Sequence, residues 1–451
     1  MPLGSHAQGS RVQKSFRSPS YSYRDRRNPD KLAHVSDSFS SSLLENFPQA
    51  DDRRPLAKAA SEMGLPSSER EEWRYSPVGE LDLDRYRPAV DGDSVDRSTD
   101  REDALGVNPT IVIENGWLRE VAEIDGVEII ALGQPGELDI SVSATESERI
   151  DAGWGTKIDL LHAAFCPQII EVRVGRGVVV DEPILIRHQH GGGDIAAFPH
   201  VRVRAEADSE VRLVETFASP AAGGLTVPVT EFHLSDAARV SYVQFQDLAT
   251  DHWMLARQFW RLGNQTTARG GVAAFGGRYA RTRIDSMLEG RGADSNLAAV
   301  YYGDGSQVLD FRVFQHHIGQ GTRSDLLFKG TQDEKSTSVY TGMIHIHPTG
   351  AGSNAFQTNR NLKLSEDAWA WSVPNLEIEN DEVRCSHAST ISPVDADHAF
   401  YLQSRGVPPG EAERLVVGGF LHAAIERLPI PAVRGVVENL VVNKLNRRES
   451  A

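Results

Sequence analysis

IIEVRVGRGVVV (Ile169–Val180) and EVRLVETF (Glu210–Phe217) show the texture of the middle of this chain: short runs rich in Val, Ile, Phe and Tyr, broken by Gly, Asp, Asn or Ser. The texture holds from about Ile111 to Ile378, and runs of this length bounded by turn residues predict many short strands. Turn signals recur with them. Asp208, Asp236, Asn264, Asp294, Thr322 and Gly350 each stand in a polar or small cluster just before a β-type run, about 28 residues apart, which is a solenoid period. Irregular β-sandwiches also space their turns regularly, so the period favours a parallel β-helix over a sandwich without deciding alone. In a β-helix each coil leaves apolar side chains pointing inward, only the next coil buries them, and the open ends need covers. The expectation is a mainly β core over residues 111–391, with Asp208, Asp236, Asn264 and Asp294 aligned on one edge.

Both flanks supply candidate covers. Residues 1–42 are Ser-rich and without hydrophobic period, including SYSYRDRRNPDK (20–31), and read as a disordered tail. Residues 43–110 read as a small N-terminal capping region, with a helical pattern at Leu56–Leu65, an aromatic pair in EEWRYSP (Glu71–Pro77) and an acidic linker at Asp91–Asp103. Residues 392–451 turn helical. Ser392 reads as a cap, Pro393 as the first helical residue and Gly406 as the left-handed residue past the end, which gives a helix over Val394–Arg405. Leu415, Val416, Phe420 and Ala423 recur at helical spacing within Glu411–Leu428, and Val433, Val436, Val437, Leu440 and Val441 do so in a third helix.

Composition narrows the functions such a fold can serve. A chain of 451 residues exceeds the roughly 100–200 of a typical domain, so several units or one long repetitive unit are needed. Forty-seven basic against 63 acidic side chains give a net charge of -16, which repels phosphate backbones and argues against nucleic acid as the main partner. Two cysteines, Cys166 and Cys385, are too few for a disulfide framework and fit a reducing compartment. No stretch approaches the ~20 apolar residues of a membrane span and the N-terminus has no apolar h-region, so a cytoplasmic location of bacterial type is expected. Met1–Lys31, rich in Arg and Ser with few acids, has a composition that organellar transit peptides share, and an organellar destination stays open beside the tail reading. No G-x-x-x-x-G-K-[ST] loop occurs and no G-x-G-x-x-G follows a strand, so any nucleotide hydrolysis must come from another chain. RGGVAAFGGR (Arg269–Arg278) reads as tight turns of a coil.

The stretch Thr322–Gly406 carries a resemblance to a known family. TRSDLLFKG (Thr322–Gly330), FQTNRNLKLSEDA (Phe356–Ala368), VPNLEI (Val373–Ile378), RCSH (Arg384–His387) and FYLQSRG (Phe400–Gly406) stand in order, with EEWRYSP and PILI (Pro183–Ile186) upstream. Together they resemble the SufB/SufD family of iron–sulfur cluster assembly scaffolds over most of the chain beyond the tail. The resemblance implies a right-handed parallel β-helix flanked by N-terminal and C-terminal helical segments, with no enzymatic activity of its own. It further implies a heterodimer with a SufB paralogue, a homodimer when the chain is isolated, and a complex with the ABC-type ATPase SufC. An iron–sulfur cluster would form transiently at the SufB–SufD interface, while SufC would dock on the C-terminal helices. Phe420, at the centre of their apolar stripe, is the candidate ATPase contact, against the reading of the stripe as an intramolecular cap. SufB-like sequences carry more cysteines and a Glu directly after the matching histidine; here Ala388 follows His387, so the chain is similar to the SufD type, where Gly commonly stands at that place. Flavin use and the delivery target are not legible.

Cys385 and His387 are the candidate cluster residues. In an extended segment their i, i+2 spacing aims both side chains to one side, whereas on a helix they would diverge by about 200°. A soft thiolate and an imidazole converging on one spot can bind iron or a cluster, with remaining ligands from sulfide and a partner. The resemblance weights His387 more, facing a SufB cysteine. His188 and His190 in HQHGGGD and His345 and His347 in HIHP would also share a strand face, as in cupin metal sites, while adjacent His316 and His317 would point oppositely. These are read as structural or solvated, and Cys166 as a small buried hydrophobe. Two enzyme readings stand beside the scaffold. A metal-dependent cupin-like oxygenase would use the His pairs in one small barrel, and a β-helix carbohydrate-active enzyme would need clustered carboxylates beside aromatic platforms along a groove, a constellation not seen in this sequence.

Overall fold

Strand-length runs become coils here because each pairs in parallel register with the run one coil away. The computed structural model describes residues 37–95, 110–133, 156–219 and 223–449. The tail as far as residue 36 and the linker over 96–103 lie outside the described residues. In chain order the early strands are β1 (Arg87–Pro88), β2 (Ile111–Glu114), β3 (Trp117–Val121), β4 (Val127–Leu132), β5 (Ile169–Val174), β6 (Ile184–Gln189), β7 (Ile195–Ala197), β8 (His200–Ala205), β9 (Glu210–Ala218) and β10 (Leu225–Thr226). The regular coils follow as β11 (Val229–Leu234), β12 (Arg239–Asp247), β13 (Trp253–Leu262), β14 (Thr267–Ala274), β15 (Tyr279–Leu288), β16 (Asp294–Gly303), β17 (Val308–His317), β18 (Arg323–Gln332), β19 (Thr337–Ile346), β20 (Asn354–Lys363), β21 (Trp369–Ile378) and β22 (Arg384–Pro393). One sheet runs β4-β5-β8-β11-β13-β15-β17-β19-β21 and the other β3-β2-β6-β9-β12-β14-β16-β18-β20-β22, so the chain alternates between two sheets as a parallel β-solenoid. The small barrel of the cupin reading is not this architecture.

The period has a backbone cause. The turn from the first sheet into the second carries one left-handed residue per coil: Asp208, Ala237, Gln265, Gly292, Gly321 and Gly352, with φ between 55° and 75°. The N–H of each donates to a carbonyl in the next coil's turn, on Asp236, Asn264, Arg291, Gln320, Ala351 and Glu382 in that order. Asp208, Asp236 and Asn264 do lie on one edge, and Asn264 Nδ2 donates to the Asp236 carboxylate at 3.2 Å. Asp294 falls at the end of the same turn as the first residue of β16, while Arg291 takes the place stacked on Gln265.

Inward alternation builds the main core. Val211, Leu213, Phe232, Val240, Tyr242, Trp260, Ile284, Phe311, Val313 and Phe328 are all essentially buried in one cluster, and the Phe232 and Trp260 rings stack at 3.7 Å between centroids. The flanks pack on the outer faces of the sheets rather than over the last coil. On the second sheet the outward row Val214, Val243, Ala273, Val300 and Tyr302 is apolar, and it packs against Val417, Leu421, Ala424, Val433 and Val437. These belong to the helices α4 (Pro409–Ile425) and α5 (Pro431–Glu449), which follow α1 (Ala50–Glu62), α2 (Lys157–Phe165) and α3 (Ala396–Ser404). A sheet buried on both faces explains the near-continuous apolar runs, such as Leu297–Tyr302.

The first sheet's outward face is instead charged. Arg202 donates to Glu231 at 2.7 Å, Arg283 to Asp285 at 2.8 Å and Arg312 to Asp310 at 2.5 Å, with all six side chains buried. The N-terminal segment closes over this ladder. Trp73 lies 3.9 Å beneath the Arg281 guanidinium, Arg74 O accepts from Arg312, and Tyr75 stacks on Trp371 of β21 at 3.9 Å. Phe39, within the stretch read as tail, is buried against Phe165.

One helix start differs from expectation. Ser392 and Pro393 stay in β22, paired with Leu362 and Lys363, because the parallel ladder with β20 extends that far. Asp395 caps α3 in their place, its carboxylate accepting from the N–H groups of Asp397 and His398, and Gly406 takes the left-handed position past the end with φ 89°.

Candidate functional site

The two ends of the solenoid are finished differently. At the first end the sheets run out in β3 and β4, which are short and pair antiparallel. At the other end β21 and β22 are ten residues each and pair only with β19 and β20 among the described residues. Among the described residues the last coil is therefore uncovered, and Phe356, Ile378 and Ile391 are 42–46% exposed on or beside it.

Cys385 and His387 both lie on β22, in extended backbone, so the i, i+2 geometry holds. Their partners across the ladder, Ala355 and Gln357, are buried inward residues, which places Cys385 and His387 on the inner row that a further coil would cover. Cys385 is half-buried against the cluster of Ile344, Ile346 and Ala355, and burial pushes its thiol up to about 11, so the unliganded sulfur is protonated at neutral pH. His387 is exposed and offers an imidazole to solvent or to a partner. The Arg384 N–H donates to Ser353 O, just before β20, and the alternation of a parallel strand then aims the N–H groups of Cys385, His387 and Ser389 at the free edge. Behind this row the interior is polar: Tyr340 donates to Gln357 at 3.0 Å and Asn359 to Tyr301 at 3.0 Å.

The other singled-out residues separate into three groups. His188 is buried, 2.6 Å from Glu215 and stacked on Phe217, and His190 is buried against Leu225 O; both are structural. Cys166 is a buried thiol pushed up to about 12, as a small core residue should be. His317 points inward between Thr322 and Ser324, whereas its neighbour His316 points outward and joins His345 and His347. The i, i+2 reading paired His345 with His347 but missed His316, which lies one strand away; its signal was the 29-residue step from His316 to His345, one coil. Phe420 is half-buried, its ring 4.6 Å from the Lys329 ammonium and its carbonyl accepting from the same group at 2.9 Å. The outward side of α4 and α5 instead presents Leu415 and Val442, 49% and 51% exposed.

These features define a helix-flanked parallel β-solenoid with one open coil bearing a thiol and an imidazole. The family model described as SUF system FeS cluster assembly, SufBD core domain, matches residues 187–420, more than half of the chain. The chain is 34% identical over 287 residues to an iron–sulfur cluster assembly SufBD family protein of Mycobacterium bovis, covering 62% of this chain and 72% of that one. It is 29% identical over 293 residues to the iron–sulfur cluster assembly protein SufD of Bacillus subtilis, covering 64% and 67%, and 24% identical over 375 residues to SufD of Escherichia coli, covering 81% and 86%. The chain belongs to the SufB/SufD family of the SUF iron–sulfur cluster assembly system, and within it to the SufD type. No helix among the described residues is long and apolar enough to cross a membrane.

Proposed function

We propose that this chain is a non-catalytic scaffold subunit of a cytoplasmic SUF complex. Its open coil pairs with the corresponding coil of a SufB paralogue, its C-terminal helices receive the ATPase SufC, and a nascent cluster is held transiently at the paired edges as cargo. The single observation that carries this reading is the uncovered last coil, where full-length strand edges, exposed apolar side chains, Cys385 and His387 coincide. A ten-residue parallel edge left bare is a template for another strand. Burial holds the Cys385 thiol protonated, so it must lose its proton to ligate iron, and the family resemblance gives His387 the greater weight as contributor. When the paralogue is absent, two copies of this coil are the natural substitute and give a homodimer.

The test is a strand-edge block. Ser389→Pro removes one free-edge donor while its ladder partner on β20 keeps the bonds made by its neighbours, a position where proline is tolerated. Co-expression with the paralogue should yield no stable heterodimer from this variant, with its circular dichroism unchanged. A heterodimer of ordinary yield would remove the edge from the argument.

A further inference from the structure

The outward face near the ends of β17, β19 and β21 gathers three histidines that nothing in the scaffold reading uses. His316 and His345 are directly paired residues of neighbouring strands, and His347 lies two positions beyond His345. Period-2 alternation puts all three on the outer side, opposite the fully buried His317, Ile344 and Ile346. The rings crowd together: His345 and His347 stack at 4.0 Å between centroids, with His316 5.6 and 5.8 Å from them. One ligand nitrogen from each lies within 4.8 Å of the other two.

We propose that His316, His345 and His347 form a binding site for one first-row divalent transition-metal ion of the Zn²⁺ or Co²⁺ kind, which fastens β17 to β19 close to the open coil. Three neutral imidazoles are the donor set such ions favour. A tetrahedral ion with bonds of about 2.0–2.1 Å needs its ligand atoms about 3.4 Å apart, a closure within reach of ring rotation at half-buried positions. Two further observations point the same way. Nε2 of His347 is buried and has no hydrogen-bond partner among the described residues, a cost that a bound ion removes. Glu379, just past β21, places Oε1 2.6 Å from Nε2 of His345, the carboxylate–imidazole pairing that orients ligand histidines. The site is complete within one chain and stands apart from His387, which lies on the other sheet.

The experiment is titration of the metal-free, isolated full chain with Co²⁺, followed by visible absorption and by thermal shift. The expected result is one saturable equivalent with tetrahedral bands and a melting temperature that rises with Co²⁺. The double variant His316→Gln, His345→Gln should weaken binding at least 30-fold, while His387→Ala and His422→Gln should leave it unchanged; His422 belongs to a separate, exposed group with Glu426 and Glu438. If circular dichroism shows the double variant misfolded, His347→Gln alone decides in the same way. Absence of saturable binding to the unmodified chain, undiminished binding to the histidine variants, or loss of binding in His387→Ala or His422→Gln would each overturn the proposal.

Discussion

Leu415→Asp should disconnect the ATPase while leaving the solenoid intact. Leu415 is 49% exposed on the outward side of α4, so docking would bury about half of its surface. Full burial of a leucine stabilises by roughly 1.5–3 kcal/mol, which makes the half still available about 0.7–1.5 kcal/mol. An aspartate at the same place also carries an unpaired carboxylate into the contact, costing about 1–3 kcal/mol more. The combined loss, about 2–4.5 kcal/mol, weakens binding by roughly 30-fold or more. Affinity of the purified variant for the ABC-type ATPase, measured by calorimetry, reads this directly. Phe420→Asp is the less clean perturbation, because the ring already rests on Lys329 and the sheet, and its loss should lower stability as well. Unchanged ATPase affinity in Leu415→Asp would refute the outward face as the docking surface and leave α4 and α5 as intramolecular packing.

Three further outcomes are expected. His387→Ala should leave folding and complex assembly intact and lower the rate of cluster formation in a reconstituted assay, with Cys385→Ser milder; a His387→Ala complex working at the unmodified rate would make the residue structural. Asp310→Asn should destabilise the chain by about 3–5 kcal/mol in denaturant unfolding, because Asp310 is fully buried and accepts from Tyr279, Arg281 and Arg312. The neighbouring arginines hold the Asp310 and Asp285 carboxyls below the usual range, so their contribution is present above an unfolded pKa of about 3.9 and is lost as pH falls through the lower folded values. Acid unfolding monitored by fluorescence should accordingly begin below about pH 4, and a midpoint near neutrality would contradict the ladder's role.

Much of the fold could be read in advance because one backbone requirement recurs. Each coil needs a left-handed residue in the same turn, and the small or polar residues that tolerate it mark the period from Asp208 to Gly352. The drift at Asp294 arose because the left-handed residue is Gly292, while the nearby aspartate already belongs to a strand. The placement of the flanks was less accessible, since it depends on which strand face meets them. The apolar outward row of Val243, Val300 and Tyr302 invites helices, and the buried charges from Glu171 to Arg312 require the cover that Trp73 and Tyr75 help to supply. Cys385 and His387 became candidates through the RCSH resemblance and their spacing within one strand, which the structure keeps extended, whereas His316 needed the spacing of the coil itself.

The unequal finish of the two ends also governs how far assembly can go. A repeating ladder with two full-length bare edges is a monomer for a fibre, since each addition presents a fresh template. Among the described residues only one end offers ten-residue parallel edges; the other tapers into five- and six-residue strands that reverse direction and carry Arg119, Glu120 and Glu128. Charge, brevity and reversed polarity make that end a poor acceptor. If the open coil pairs as proposed, growth stops after that one pairing event, and a fold built from the same principle as a filament is limited to two.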